Sequence, residues 1–196
     1  MRICAAFDGS DKDDFTCIRA ETVGGWQFTP TYGPDKRPMI WDPAEYGGRI
    51  PRLEVHAAME ELFDTHTVER LYYDPPLWKT EGELWQQQYG ENIVIPWETY
   101  RIKPMHAALE RFVMDLQTKA LTHDDCKITA NHIANARMFA RSGQSYIILK
   151  PSQTQKIDAA VTSVIAHEAA CDARADGWSE GFRAPSGIST AVYGFN

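Results

Sequence analysis

The chain has 196 residues, of which 43% are hydrophobic and 24% are charged, and its formal net charge is −7. This length and composition predict one globular domain with a sizeable core. No apolar run approaches the ~20 residues of a membrane span, and the amino terminus shows no charged-then-apolar leader, so no membrane association is expected. The acidic balance argues against a protein that simply coats nucleic acid, but it is compatible with an enzyme that binds cations through carboxylates.

The first stretch of the chain predicts the centre of a sheet. Five apolar residues, 3–7, lead without a break into Asp8 and Gly9. An unbroken run of this kind is typical of a strand that is buried on both faces, and open α/β sheets bind their ligands at the carboxyl ends of such strands. Residues 68–73 are interpreted as a second strand, which also ends in a carboxylate, Asp74. The sequence therefore predicts two neighbouring parallel strands that carry aspartates at one edge of the sheet.

The remaining patterns predict a mixed α/β fold. Strands at 15–21 and 26–28 continue the first one as an antiparallel meander, and residues 30–50 form a long ordered loop. Helices are expected from Pro51, after Pro75-Pro76, from Pro104, from a cap at Thr129, and over about 155–171, with a strand at 93–96. Segments 137–141 and 146–150 predict an auxiliary hairpin. The expected architecture is a five-stranded mixed sheet with helices on both faces, a domain over 1–175 and a carboxyl-terminal tail over 176–196.

A third aspartate completes a candidate metal site. Asp158 lies in the first turn of the last predicted helix, which can bring it to Asp8 and Asp74 if the helix packs across the sheet. Two carboxylates ~4 Å apart repel each other by on the order of 4 kcal/mol at an effective dielectric of ~20. Hard divalent cations offset such a cost, and two of them ~3.5–4 Å apart catalyse phosphodiester hydrolysis. We therefore predict that the three aspartates converge on divalent metal.

The order and setting of these segments resemble the nuclease domain of the bacteriophage terminase large subunit, a member of the RNase H-like superfamily. The resemblance covers about residues 3–172. It rests on four segments: 7–10 followed by 13–16, 71–74, 156–161, and the stretch from His123 through Asn135 to Arg137.

The resemblance implies an RNase H-like fold and metal-dependent cleavage of double-stranded viral DNA during genome packaging. It implies Mg²⁺ or Mn²⁺ in a two-metal site, with Asp8 bridging both ions and Asp74 and Asp158 each completing one coordination sphere. The implied partners are a packaging ATPase domain or subunit, the portal and the small terminase subunit, in the host cytoplasm at the procapsid. No GxxxxGK[ST] loop occurs in the chain, so it is either one domain of a longer protein or a free-standing relative.

Further charged residues flank this site in the sequence. Asp11, Asp13 and Asp14 predict a solvated loop, in which Asp14 is the best candidate to hold a metal-bound water. Basic residues on the hairpin and its exit predict either a solvated surface or an arm that grips DNA phosphates; these are Arg137, Arg141, Lys150 and Lys156.

Other titratable residues predict structural roles. His167-Glu168 lacks the second histidine of a zinc protease motif and predicts a pair on a helix surface. His123 and His132 are interpreted as structural. The four cysteines include no CxxC pair, which favours reduced thiols over a disulfide framework or a zinc site.

Two other functions remain open at this point. A structure-selective resolvase of the RNase H-like group would show the same carboxylates, and it would cut branched DNA in preference to linear duplex. A docking module that keeps the fold without cutting is the other possibility, and it would fail to nick plasmid DNA in Mn²⁺.

Overall fold

The computed structural model describes residues 1–141 and 145–179. Its strands are β1 (Arg2–Asp8), β2 (Thr16–Glu21), β3 (Trp26–Phe28), β4 (Thr31–Tyr32), β5 (Arg37–Pro38), β6 (Ile40–Trp41), β7 (Thr67–Tyr73), β8 (Val94–Pro96), β9 (Thr122–His123), β10 (Arg137–Ala140) and β11 (Tyr146–Leu149). Its helices are α1 (Arg52–Thr65), α2 (Lys79–Tyr89), α3 (Ile102–Thr118), α4 (Lys127–Asn135) and α5 (Asp158–Ala175), and a 3₁₀ turn spans Pro43–Tyr46.

The main sheet is mixed and has β1 near its centre. Strands follow the order β8-β7-β1-β2-β3-β9, and β6 pairs with β2. β1, β2 and β3 form the antiparallel meander, whereas β7 and β8 run parallel to β1. The five-stranded sheet predicted from the sequence is confirmed as its core, and the short strands β6 and β9 extend it to seven within the described residues.

Both faces of the sheet are covered, which explains the unbroken apolar run in β1. Side chains alternate along a strand, so Ile3, Ala5 and Phe7 pack with α1 and α2, while Cys4 and Ala6 pack with α5. The inner surface of α5 is rich in alanine, and these small side chains let the helix lie close to the sheet. Asp8 continues the α5-facing series.

Several element boundaries differ from the sequence prediction. α4 begins at Lys127, and Cys126 rather than Thr129 occupies its N-cap position, where no side chain caps the helix. Thr129 is instead a buried residue in the first turn of this helix. α5 begins at Asp158 and continues to Ala175, because its inward face stays buried as far as Ala173.

The auxiliary hairpin is confirmed by the antiparallel pairing of β10 and β11, and the residues between them, 142–144, lie outside the described part. Beyond α5, Trp178 is 7% exposed and packs on the α5 face of the sheet. The rest of the predicted tail, 180–196, lies outside the described residues, so the domain boundary stays a prediction. In the described ranges, no helix combines the length and the apolar character needed to cross a membrane.

Candidate active site

Two adjacent parallel strands place Asp8 and Asp74 side by side. Phe7 pairs with Tyr73 in the register of β1 and β7, and the backbone N–H of Asp74 donates to the Phe7 carbonyl at 3.1 Å. Asp74 follows Tyr72 by two residues, and Tyr72 packs on the same α5-facing side as Ala6. Both carboxylates therefore project from one edge of the sheet, on the face that α5 covers.

The first turn of α5 adds Asp158 to this edge. Its Oδ2 accepts a hydrogen bond of 3.3 Å from the backbone N–H of Phe15, just before β2, whose Cys17 pairs with Asp8 across the sheet. His132 supports the start of the helix, because its Nδ1 accepts the backbone N–H of Ala159 at 3.1 Å. Burial lowers the pKa of His132 to about 4, so the ring is neutral and able to accept this bond. The structural interpretation of His132 agrees with this contact.

The turn after Asp8 depends on a close approach of two segments. A Cβ atom added to Gly9 would lie 2.4 Å from Cδ1 of Trp78, which is far inside van der Waals contact. The indole N–H of Trp78 donates to the Ser10 carbonyl at 2.9 Å. The glycine therefore lets Trp78 seal the apolar side of the sheet directly behind Asp8.

The three carboxylates disfavour one another in the ionised form. Burial, and then the proximity of Asp74, Asp158 and Asp14, raises the pKa of Asp8 well above its usual range. Burial and the nearby Asp14 raise the pKa of Asp158 to about 6, although the Phe15 N–H opposes this shift. Among the described residues, none of the aspartates 8, 74 and 158 has an ion-pair partner within 4.0 Å. This edge of the sheet is therefore a concentration of uncompensated negative charge.

Thr99 holds Asp74 and was not singled out in the sequence. Its hydroxyl donates to Oδ2 of Asp74 at 2.5 Å, and its backbone N–H donates to Oδ1 at 3.3 Å. Burial raises the pKa of Asp74, and both hydrogen bonds act in the opposite direction because they favour the ionised form. Thr99 lies in the connection between β8 and α3, where the sequence carries no motif that would mark it.

Asp14 is paired with two lysines. Its oxygens accept bonds from Lys150 Nζ at 2.7 and 2.8 Å and from Lys156 Nζ at 2.8 Å. These ion pairs outweigh the effect of burial and lower the pKa of Asp14. The predicted water-holding aspartate is thus paired with both of the predicted phosphate-binding lysines, two cations for one carboxylate, beside Asp8.

The two predicted arginines of the hairpin lie farther out. Both Arg137 and Arg141 are exposed. Arg137 Nη1 donates to the carbonyls of Ala134 and Ala136 at the end of α4, at 2.7 and 3.0 Å. Because this fold-back occupies only part of the guanidinium, Arg137 retains donors for an anion.

The three aspartates are more widely spaced than a single-ion site. In residues 1–141 and 145–179, the one trio of ligating atoms that all lie within 4.8 Å of each other belongs to Asp115, His167 and Cys171. The oxygen donor set fits Mg²⁺ or Mn²⁺.

One sequence prediction on α5 is wrong. His167 and Glu168 were expected on a helix surface, but they are 1% and 7% exposed. His167 lies between Glu21 Oε2, at 2.9 Å from Nδ1, and Asp115 Oδ2, at 3.1 Å from Nε2. Glu168 forms a two-pronged ion pair with Arg111. This face of α5 packs against polar residues on β2 and α3. The helical period of α5 alone does not reveal these partners.

Two phage proteins are similar to this chain in sequence, whereas no protein-family model matches it. It is 27% identical over 184 residues to the Gene 13 protein of Mycobacterium phage D29 and 27% identical over 183 residues to that of Mycobacterium phage L5. These matches cover 88% and 87% of this chain but only 30% of each relative, so the chain spans less than a third of their length.

Solved structures show the same fold. The large terminase nuclease of thermophilic phage G20c with bound magnesium superposes with a TM-score of 0.63 at 10% identity, covering 85% of this chain and 80% of that one. The large terminase nuclease domain of Thermus phage P74-26 gives 0.61 at 9% identity, covering 84% and 77%. The HK97 bacteriophage large terminase gives 0.59 at 14% identity, covering 84% of this chain and 38% of that one. The resemblance seen in the sequence is therefore confirmed in the fold: this chain has the RNase H-like fold of phage large terminase nuclease domains.

Proposed function

We propose that this chain is a divalent-metal-dependent endonuclease that cuts double-stranded viral DNA during genome packaging. The observation that carries the proposal is the convergence of Asp8, Asp74 and Asp158 on one edge of a terminase-nuclease fold. Shared fold does not by itself imply shared activity, so the site has to support the chemistry. It offers oxygen ligands from three elements and a concentration of negative charge that cations would relieve.

Each aspartate has a distinct proposed position around the metals. Asp8, central in the sheet, would contribute to both ions, while Asp74 and Asp158 would each complete one coordination sphere. Thr99 would keep the Asp74 carboxylate in place through its two hydrogen bonds. Mg²⁺ or Mn²⁺ bound there would lower the pKa of an attacking water and stabilise the charge on the leaving oxygen of a phosphodiester.

The basic residues around the site suit a polyanionic substrate. We propose that Arg137 and Arg141 on the hairpin contact the DNA backbone, as cationic side chains do in most protein–DNA complexes. Lys150 and Lys156 already bind Asp14 at the edge of the site. A phosphate arriving there would compete with Asp14 for these lysines, which leaves Asp14 free to hold water beside the metals.

The wider role is proposed from the relatives. Because the chain spans about 30% of the matched Gene 13 proteins, a packaging ATPase domain or subunit would accompany it in the complete machine. The portal and the small terminase subunit are the other proposed partners, in the host cytoplasm at the procapsid.

Supercoiled plasmid nicking tests the proposal. The protein is incubated with plasmid and millimolar Mg²⁺ or Mn²⁺, with an EDTA-treated sample beside it. We expect nicked and then linear DNA only with metal. No nicking with either metal would favour the docking module, and cleavage of a four-way junction well ahead of linear duplex would favour the resolvase.

A further inference from the structure

A second group of ligating atoms lies between α3 and α5, away from the aspartates. We call Asp115, His167 and Cys171 the α3–α5 ligand cluster. His167 Nε2 lies 3.1 Å from Asp115 Oδ2 and 3.5 Å from Cys171 Sγ, and the ligating atoms all lie within 4.8 Å of one another. His167 and Cys171 are four residues apart on one helix, so both side chains project from the same face.

The spacing of these atoms matches a tetrahedral metal site. Zn²⁺ binds histidine nitrogen at ~2.0–2.1 Å, carboxylate oxygen at ~2.0–2.2 Å and thiolate sulfur at ~2.3 Å. At the tetrahedral angle, two such ligands are roughly 3.3–3.6 Å apart. The nitrogen–oxygen and nitrogen–sulfur distances in the cluster are close to those edges. An ion would therefore fit with only small movements of the side chains.

Neighbouring groups hold the cluster as they do in known zinc sites. Ligating histidines commonly donate their second ring N–H to a carboxylate, which fixes the tautomer and the ring orientation. Here His167 Nδ1 lies 2.9 Å from Oε2 of Glu21, a fully buried residue of β2, so Nε2 points into the cluster. Arg174 Nη2 lies 3.4 Å from Cys171 Sγ and 2.9 Å from Glu21 Oε1, so it links Cys171 to the carboxylate that orients His167.

We infer that Asp115, His167 and Cys171 form a Zn²⁺ site that clamps α3 to α5, with solvent at the fourth position. The side chain of Asp115 is 31% exposed, which gives the ion a route from water. Imidazole and thiolate ligands select a borderline-soft ion, in contrast to the all-oxygen set formed by the aspartates. His167 follows Asp158 by nine residues, or about 13 Å along the helix, so the two sites are separate.

Cobalt substitution tests the inference in the intact chain. Co²⁺ bound to a thiolate gives a sulfur-to-metal charge-transfer band in the near ultraviolet, which a site built only from oxygen ligands does not give. We expect this band, together with one tightly bound Zn²⁺ per chain after dialysis, in the wild type and in Asp8→Asn. We expect Cys171→Ser to lose the band and the bound zinc. Cys126→Ser is the matched control and should keep both, because Cys126 lies outside the cluster.

The readout separates this site from the nuclease site. If the band is absent in the wild type, survives Cys171→Ser or disappears with Cys126→Ser, the inference is wrong. Should Cys171→Ser fail to fold, Asp115→Asn serves in its place. The Asp115 side chain is 31% exposed and tolerates the change, and zinc affinity should fall by at least about 10-fold. Unchanged affinity in that variant would also overturn the inference. None of these measurements requires cleavage activity.

Discussion

Helix α5 contacts two groups of ionisable side chains that differ in how their charge is balanced. At its first turn, Asp158 joins Asp8 and Asp74, and no ion pair within 4.0 Å compensates any of them among the described residues. Farther along, His167 lies between Glu21 and Asp115, and Arg174 pairs with Glu21 at 2.9 Å. Both groups pack against the same face of the sheet.

The two groups therefore differ in whether their charge is compensated within the protein. Buried charges are tolerated when they are paired and hydrogen-bonded, and Glu21 meets both conditions with no exposed surface. The aspartates meet neither condition fully, so burial, followed by repulsion from neighbouring carboxylates, raises the pKa values of Asp8 and Asp158. Cations from solution would neutralise them in their ionised form. Uncompensated charge, more than burial, therefore marks the candidate active site.

Removing one carboxylate should have the largest effect. Asp8→Asn, Asp74→Asn and Asp158→Asn each delete a proposed metal ligand while keeping the shape of the side chain. We expect plasmid cleavage to fall by more than about 100-fold, the upper end of what losing a residue behind a metal ligand costs. Initial nicking rates in Mg²⁺ and in Mn²⁺ measure the loss.

Asp64→Asn is the matched control for these variants. Asp64 is exposed at the end of α1, just before β7, whose opposite end leads to Asp74. Seven strand residues place it about 20 Å from the site, so cleavage should be unchanged. Normal cleavage by any of the three aspartate variants would remove that residue from the proposed metal site.

Breaking the charge-balanced group, which consists of His167, Glu21, Asp115 and Arg174, should instead destabilise the fold. Glu21→Gln leaves His167 and Arg174 without their shared carboxylate, and removing one partner of a buried pair costs about 3–5 kcal/mol. Urea unfolding at pH 7 in EDTA measures this loss. Glu69→Gln is the control, because the Arg2–Glu69 pair is partly exposed and screened by solvent, so its loss should cost far less. Equal losses in the two variants would contradict the contrast.

The same variant has a predicted pH signature. Burial alone lowers the pKa of His167, but its contacts with Cys171 and Glu21 outweigh burial and raise the pKa from 6.5 to about 10. The folded state thus holds the proton more tightly than the unfolded chain. This stabilisation is complete below pH 6.5 and is lost as the pH rises towards 10. The free energy of unfolding should fall across this window in the wild type, and less steeply in Glu21→Gln.

The sequence predicts the positions of the uncompensated aspartates well and those of the charge-balanced group around His167 poorly. Asp8 and Asp74 each follow a buried strand, and parallel neighbours bring such ends together, so local patterns are sufficient to place them. Glu21 and His167 are 146 positions apart, and no local pattern links them. The sequence predicts the strand that contains Glu21, but the burial of Glu21 follows from its packing against α5. The burial of His167 depends on the same packing, which the helical period of α5 does not reveal.

The Thr129 cap and Thr99 show the same limit on a smaller scale. Threonine is a common helix cap, yet the N-cap position belongs to Cys126, and the side chain of Thr129 is buried between packed elements. Thr99 contacts Asp74 only because the connection after β8 passes the end of β7. Both outcomes depend on tertiary contacts, which a periodicity argument does not contain.

Relieving the repulsion without metal should stabilise the fold moderately. Because the pKa of Asp158 is about 6 in the folded state and 3.8 in its usual state, the ionised carboxylate costs stability at neutral pH. We expect Asp158→Asn to raise the free energy of unfolding by about 1–2 kcal/mol in EDTA, after discounting for partial exposure. The gain should be absent below pH 3.8 and complete above about pH 7. Thermal unfolding at pH 3.5 and 7.5 distinguishes these cases.

Divalent metal should remove the stability advantage that Asp158→Asn has over the wild type in EDTA. Millimolar Mg²⁺ or Mn²⁺ binds the native wild type and should raise its melting temperature, and the gain should be smaller in Asp158→Asn. Asp64→Asn should respond like the wild type. A wild-type melting temperature that does not change with metal would contradict a preformed site, even if cleavage were observed.

The smallest expected effect concerns the hairpin, which tests whether DNA reaches the uncompensated edge from this side. In the cleavage-deficient Asp8→Asn background, Arg137→Ala and Arg141→Ala should each weaken binding to duplex DNA uniformly across sequences. Each should reduce the slope of log affinity against log salt by about 1, because one phosphate contact is lost. Lys79→Ala on α2 is the control, since Lys79 is 77% exposed and α2 packs on the opposite face of the sheet. A salt slope that falls with Lys79→Ala but not with the arginine variants would place the DNA on that opposite face and separate it from the three aspartates.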